Sequence, residues 1–123
     1  MNTNMIADAI YDFLITKHER VYRNSSPSSP TFPYVVYRIE SVTDSTPSND
    51  FYIYVDIYED TNKSVRVMED LADSIDNELN DLVMNTDGFN AHFMREGRQF
   101  VDGTELISEQ VIFLRYNTRI YFK

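Results

Sequence analysis

The sequence predicts an α+β domain with the element order α-β-β-α-β-β, in which two helices pack on one face of a mostly antiparallel four-stranded sheet. Two segments repeat apolar residues at helical spacing, and four others are rich in β-branched and aromatic residues. Polar segments separate the strands of each pair, which is typical of antiparallel hairpins. Because 123 residues match the usual size of one domain, we assign residues 1–123 to a single unit.

The first helix is predicted over residues 4–18, where Asp8, Asp12 and Lys17 lie opposite an apolar stripe. The stripe consists of Ile6, Ala9, Ile10, Phe13 and Leu14. The next segment, residues 23–33, holds three of the four prolines. Because proline removes backbone donors, we expect either an ordered loop or a mobile arm here.

The first strand pair is predicted over residues 34–42 and 51–60, with a polar turn at 43–50 between them. The second of these strands, FYIYVDIYED, alternates strictly between aliphatic or phenylalanine side chains and tyrosines or carboxylates. Alternation with a period of two indicates a strand with one face in the core. Its core face is therefore predicted to consist of Phe51, Ile53, Val55 and Ile57.

A second helix is predicted from Ser64 to Met84, with an apolar stripe on one side and many carboxylates on the others. The stripe consists of Met68, Leu71, Ala72, Ile75, Leu79 and Leu82. Two further strands follow at residues 89–96 and 107–123, and the intervening GRQFVDGTE forms a loop or part of a long hairpin. The core face of the last strand is predicted to hold Ile112, Leu114, Tyr116, Ile120 and Phe122.

The open face of this predicted sheet is rich in aromatic and charged residues. The second and fourth strands bring to it Tyr52, Tyr54, Asp56, Tyr58, Phe113, Arg115, Arg119 and Tyr121. Such a face is too apolar for a surface that is exposed only to solvent and too charged for a core. This composition is typical of protein interfaces. We therefore predict that these eight residues form a contact between subunits, with a monomer whose tyrosines lie flat on the sheet as the alternative.

Composition argues against several classes of function. The net charge of −9 argues against broad nucleic-acid binding, which depends on neutralising phosphates. The chain has no cysteine, and no apolar run approaches the ~18 residues that cross a bilayer. The polar start, MNTN, lacks the features of a secretory signal, so we expect synthesis in the cytoplasm and no membrane partner.

Catalytic, cofactor and metal sites are not predicted. The histidines are His18, in the charged run KHER at the end of the first helix, and His92, which has no acid partner at a diagnostic spacing. Glycine-rich nucleotide motifs do not occur. Asp44 and Asp50 lie six residues apart without the ligand ladder of an EF-hand, so a solvated turn is the preferred interpretation over a weak cation contact.

A basic stripe on the last strand offers a competing function. Arg115, Arg119 and Lys123 share a strand face with Phe113 and Tyr121, as in a nucleic-acid platform. The neighbouring strands, however, carry acidic side chains that can pair with these cations across the sheet. Those acidic residues are Asp56, Asp60 and Glu40. The stripe is therefore interpreted as cross-strand pairing.

Three consecutive segments resemble the tail terminator, or tail-completion, proteins of long-tailed bacteriophages and prophages. The strand PYVVYRIES, the strand FYIYVDIYED and the helix SVRVMEDLADSIDNELN match a Pro-Tyr-aliphatic strand, a Val-Asp-aliphatic-aromatic strand end and a following helix. The resemblance covers most of residues 5–84 and continues through the strand-rich C-terminal third. The segment 23–33 departs from the pattern because it is longer and richer in serine and proline.

The resemblance implies a structural virion assembly protein without catalytic residues. Such a protein forms a homo-oligomeric ring, a hexamer in the assembled tail, that caps the tail tube and stops its polymerisation. Its partners are then the tail tube protein and the head or neck connector proteins, and its location is the virion tail, after assembly in the host cytoplasm. Alternatives are a neck or head-completion protein, and a small ligand- or nucleic-acid-binding α+β module.

Overall fold

A computed structural model describes residues 3–44, 49–103 and 109–123. Within these residues the chain forms two helices and one six-stranded sheet. In chain order the elements are α1 (Thr3–Leu14), β1 (Val21–Arg23), β2 (Tyr34–Asp44), β3 (Asn49–Asp60), α2 (Val65–Leu79), β4 (Val83–Asn85), β5 (Phe89–Val101) and β6 (Glu109–Phe122).

The predicted four-stranded, mostly antiparallel sheet with two helices packed on one face is wrong. The sheet has the spatial order β1-β2-β3-β6-β5-β4 and is mixed, because β1 runs parallel to β2 while the other neighbours are antiparallel. It curls strongly into a half-barrel, and strands make up about 49% of the chain. The two missed strands have three residues each, too few to show a period in the sequence.

The strand β1 lies between the predicted first helix and the predicted loop or arm of residues 23–33, and only its last residue, Arg23, falls within that segment. Val21 pairs with Val35, and the intervening chain returns so that β1 and β2 run in the same direction. Arg20 holds this return by donating from Nε to the carbonyl oxygens of Thr31, at 3.2 Å, and Pro33, at 3.0 Å. His18 Nε2 donates to the same Pro33 oxygen at 2.8 Å. The segment is therefore an ordered loop.

The helix α2 ends at Leu79, earlier than the predicted end at Met84. Asp81 has a φ of 66°, a left-handed conformation that Asp adopts more readily than most residues and that stops a helix. The backbone of Asp81 then donates to the Phe93 carbonyl at 2.7 Å, and Phe93 donates back to Leu82 at 2.9 Å. The predicted end of the helix is therefore replaced by pairing along the edge of β5.

The strand β5 continues to Val101, so β5 and β6 form a long hairpin. Their register shifts between Arg95 and Gly97, which places a bulge at Glu96. The sequence left open whether the residues after Glu96 form a loop or a hairpin strand. The structure shows the hairpin.

The core is one cluster that joins buried residues of the sheet with buried residues of both helices. The predicted core face of β3 is confirmed, since its four residues are fully buried. Both helices contribute to the same cluster, α1 through Ile6, Ala7, Ile10 and Leu14 and α2 through Met68, Ala72, Ile75 and Leu79. Neither helix in the described part of the chain is long and apolar enough to span a bilayer.

A buried polar cluster ties α2 to the sheet. Tyr116, which is fully buried on β6, donates to Asp76 Oδ1 at 2.6 Å, and Arg95 on β5 donates to Asp76 Oδ2 at 2.5 Å. Burial, followed by the bond to Asp76, raises the pKa of Tyr116 above its ordinary range. Two further carboxylates of α2 pair with cations, Asp73 with Arg98 and Glu78 with Lys17. Much of the acidic helix therefore has basic neighbours.

Candidate functional site

The face of the sheet opposite the core, here called the outer face, carries the aromatic and charged residues that the sequence predicts there. On β3, Tyr52, Tyr54 and Tyr58 are partly buried although they point away from the core, and Asp56 is only 2% exposed. In the register of the sheet, Arg38, Tyr54, Arg115 and Gly97 lie side by side across β2, β3, β6 and β5. Cross-strand neighbours at such distances interact directly.

Two arginines and two tyrosines form a continuous network on this face. The guanidinium carbon of Arg38 lies 4.4 Å from the centre of the Tyr54 ring, and that of Arg115 lies 5.0 Å from the centre of the Tyr52 ring. The two rings meet edge to face, with centres 6.2 Å apart. These are cation–π and aromatic contacts, so each tyrosine ring has one guanidinium near its face and the other tyrosine ring beside it. We call Arg38, Tyr52, Tyr54 and Arg115 the arginine–tyrosine network.

Asp56 is buried beside this network. Its Oδ2 lies 3.6 Å from Arg38 Nη2, beyond ordinary hydrogen-bond distance, and Oδ1 has no hydrogen-bond partner among the described residues. The apolar side chains of Val36 and Phe113 occupy the facing positions on the two adjacent strands. Burial raises the pKa of Asp56 to about 6, and the charge of Arg38 opposes part of that rise.

Tyr58 belongs to a different contact, which the chain closes by itself. Its ring stacks on the ring of Tyr34, with centres 4.9 Å apart and an angle of 13° between the planes. Tyr34 is 3% exposed and donates to Glu109 Oε2 at 2.5 Å. Burial and then this bond raise the pKa of Tyr34 above its ordinary range. Tyr58 is therefore packed within the subunit.

Arg119 and Tyr121 lie toward the other end of β6. Arg119 Nε is 3.5 Å from Asp50 Oδ1, its cross-strand neighbour on β3. Tyr121, which is 39% exposed, lines a shallow depression with Val83 and His92 near β4. The eight predicted interface residues thus fall into separate groups along the outer face.

Sequence reasoning placed Arg38 on this face but left it out of the site, and it missed Glu96 altogether. Arg115 pairs with Glu96 at 3.4 Å, instead of with one of the carboxylates that were predicted to neutralise the basic stripe. Glu96 sits at the bulge of β5, which no sequence period reveals. The alternation of PYVVYRIES does put Arg38 opposite the core, and that signal could have included it.

A cleft of about 590 Å³ opens beside the network. It is lined by Arg38, Tyr54, Gly97, Arg98, Gln99, Phe113 and Arg115. A Cβ atom added at Gly97 would meet no heavy atom of the described residues within 4 Å, and the φ of Gly97 is not positive. Neither sterics nor backbone conformation within the subunit requires glycine there, so the position leaves open space in the cleft. Guanidinium donors and aromatic faces suit anionic and planar groups.

The two histidines and Asp50 lie outside this cleft. His18 bonds to the Pro33 carbonyl, and His92 Nε2 lies 2.6 Å from Asp81 Oδ1 near the surface. The side chain of Asp44 lies outside the described residues, whereas Asp50 faces Arg119. In the described ranges, no three His, Cys, Asp or Glu residues are grouped as a metal site would require.

Comparisons with known proteins inform the fold. No protein-family model matches this chain, and no protein of curated function matches it. A solved structure, whose name describes no activity, superposes with a TM-score of 0.73 at 13% sequence identity. The match covers 100% of this chain and 98% of the other. At that identity the likeness shows a shared fold across the whole chain.

Proposed function

We propose that this protein is a structural assembly subunit of the tail-terminator kind, which forms a homo-oligomeric ring through the outer face of its sheet. The observation that carries the proposal is the arginine–tyrosine network on that face. Arg and Tyr are the residues most enriched at the energetic centres of protein interfaces. Arg38 and Arg115 keep 46% and 45% of their side chains exposed, so both remain available to a partner.

The assignment to a phage tail rests on the sequence resemblance in residues 5–84. Under this proposal the ring caps the tail tube and presents a second surface to the head or neck proteins, and the subunit is located in the virion tail. The protein then acts by shape and contact, without catalysis. A neck or head-completion protein would use the same contact between subunits, which we call the subunit seam, and would differ in which structures it joins.

The cleft itself favours a second candidate, the binding of a small anionic ligand or of single-stranded nucleic acid. Its arginines and aromatic rings are the groups such ligands need. Against this function, Glu96 and Asp50 already face Arg115 and Arg119, and the chain carries a net charge of −9. The acidic partners of the arginines and the negative net charge each weaken the electrostatic attraction of a polyanion. We therefore favour the subunit seam.

The double substitution Tyr54→Ala with Arg115→Glu is expected to weaken self-association while leaving the fold intact. Both side chains lie off the core face, so their loss removes contacts between copies and few contacts within the core. We expect the concentration for half-association to rise by about 100-fold, the size of a lost interface hot spot. The measurement is mass by light scattering over a concentration series, with negative-stain images of the same samples.

The matched control is Arg66→Glu, which makes the same charge change at an exposed position of α2. Its association should equal that of the natural chain. Rings that persist in the double variant would refute the seam, and a double variant that fails to fold would refute our placement of these side chains outside the core. Adding a single-stranded oligonucleotide to the natural chain tests the second candidate function, which predicts binding at the cleft that weakens as the salt concentration rises.

A further inference from the structure

One exposed helix face has the properties that would complement the cleft. Asp8, Tyr11, Asp12 and Ile15 follow the spacing i, i+3, i+4, i+7 and therefore line one side of α1 and its final turn. Tyr11 and Ile15 are 41% and 42% exposed. Asp8 and Asp12 are exposed and form no ion pair with the residues that the structure describes. We call these four residues the α1 face.

The acidic helix α2 fits the cleft less well. Its Asp73 and Glu78 are engaged by Arg98 and Lys17 of the same subunit. Its outward side presents one large exposed apolar residue, Val67. A docking helix needs apolar anchors as well as charge, and α1 supplies an aromatic and an aliphatic anchor beside two free carboxylates.

The cleft has the opposite charge and room to receive such a helix. The guanidinium nitrogens of Arg38 and Arg115 lie 3.6 and 3.4 Å from the carboxylate oxygens of Asp56 and Glu96. At these distances the N–H donors of both arginines can reach a further acceptor. Tyr54 and Phe113 provide apolar walls, and the open space at Gly97 allows another chain to approach the strand closely.

We infer that the α1 face of a second copy of this chain docks in the cleft on the outer face of the sheet. This inference rests on the proposed function and deepens it by naming the other half of the seam. The two carboxylates would lie against the two guanidiniums, and Tyr11 and Ile15 would lie against the aromatic walls. Complementary charge fixes the orientation of such a contact and speeds its formation.

The two surfaces belong to opposite layers of the subunit. The cleft is on the outer face, whereas α1 packs over the core face, where the Tyr37 hydroxyl donates to the Ala7 carbonyl at 3.3 Å. Different patches therefore meet at the contact, which makes it a head-to-tail contact. Head-to-tail contacts close into rings or extend as filaments, in agreement with a ring-forming subunit.

Charge reversal tests the pairing directly. Asp8→Arg with Asp12→Arg should prevent association, and so should Arg38→Glu with Arg115→Glu, because each brings like charges together at the seam. A mixture of the two variants in equal amounts should associate again. In that mixture every contact along an alternating series joins opposite charges, and recovery to within about ten-fold of the natural chain is expected.

Cross-linking supplies a measurement that also detects short-lived contacts. The natural chain has no cysteine, so Gly97→Cys and Ile15→Cys introduce unique thiols on separate chains. A short bis-maleimide should join these two variants into a heterodimer. The matched control pairs Gly97→Cys with Val67→Cys, an exposed aliphatic position on α2, and should give at least about ten-fold less product.

The outcomes separate this inference from the proposed function. If reversal at Asp8 and Asp12 leaves association unchanged while Tyr54→Ala with Arg115→Glu abolishes it, the α1 face is refuted and the seam stands. Equal cross-linking to Ile15 and Val67 also refutes the α1 face. If the cleft variants associate like the natural chain, or the natural chain neither associates nor cross-links, the proposed function falls and this inference falls with it.

Discussion

Asp76→Ala is expected to lower the free energy of unfolding by about 2–3 kcal/mol, because it leaves the buried Tyr116 hydroxyl without an acceptor and removes the partner of Arg95, whose side chain is 38% exposed. Asp76 is 8% exposed and accepts bonds from both Tyr116 and Arg95. Without the carboxylate, the fully buried Tyr116 hydroxyl loses its acceptor, and Arg95 loses its counter-charge. The link between α2 and the strands β5 and β6 is weakened at the same time.

The measurement is the midpoint of urea unfolding, followed by circular dichroism. Asp73→Ala is the matched control, because it breaks an ion pair on the same helix whose side chains are 30% and 56% exposed. That variant should lose less than about 1 kcal/mol. Tyr116→Phe removes only the hydroxyl and should cost about 1–2 kcal/mol. Equal losses in the Asp73 and Asp76 variants would show that the buried cluster contributes nothing beyond a surface pair.

Asp56→Asn is expected to stabilise the isolated chain at pH 7 by about 3 kcal/mol, since a shift of one pKa unit corresponds to ~1.4 kcal/mol. The pKa of Asp56 rises from 3.8 to about 6 on folding. Between these two values the folded state therefore binds more protons than the unfolded state. The contribution of Asp56 to stability is fully present below about pH 4 and is lost as the pH rises through 6.

This pH dependence gives the second prediction its test. The natural chain and the Asn variant should have similar stability at pH 4, where the carboxyl group is protonated, and should diverge as the pH approaches 7. Asp70→Asn, at an exposed position of α2, is the control and should show no such divergence. A less stable Asn variant at pH 7 would mean that attraction to Arg38 outweighs the burial of the charge.

The pattern of each long strand was predictable because it is local. Alternating residues of a strand point to opposite faces, so FYIYVDIYED alone indicates which side chains of β3 enter the core. The two helices were found for the same reason, with α1 and α2 each shorter than predicted. Their ends depend on contacts with distant strands, as Asp81 and Phe93 show, and such contacts leave no local period.

The residue types of the candidate site were predictable from the sequence, but only some of the individual residues were. The sequence indicates that Tyr52, Tyr54 and Arg115 share the outer face. It does not show that Arg38 covers Tyr54, or that Glu96 reaches Arg115. It also does not show that Tyr58 is covered by Tyr34. These contacts depend on the registers of three strand pairs and on one bulge.

The sequence by itself therefore determined the two faces of the strands, the acidic character of the helices and the aromatic, arginine-containing outer surface. These properties are fixed by which residue occupies each position of a repeating backbone. Only the tertiary structure decided the six-stranded order, the curl of the sheet, the burial of Asp56 and the cleft at Gly97. Each of these features depends on the register between strands that are far apart in the chain. The contacts that stabilise that register come from several segments at once, so no single segment of the sequence predicts it.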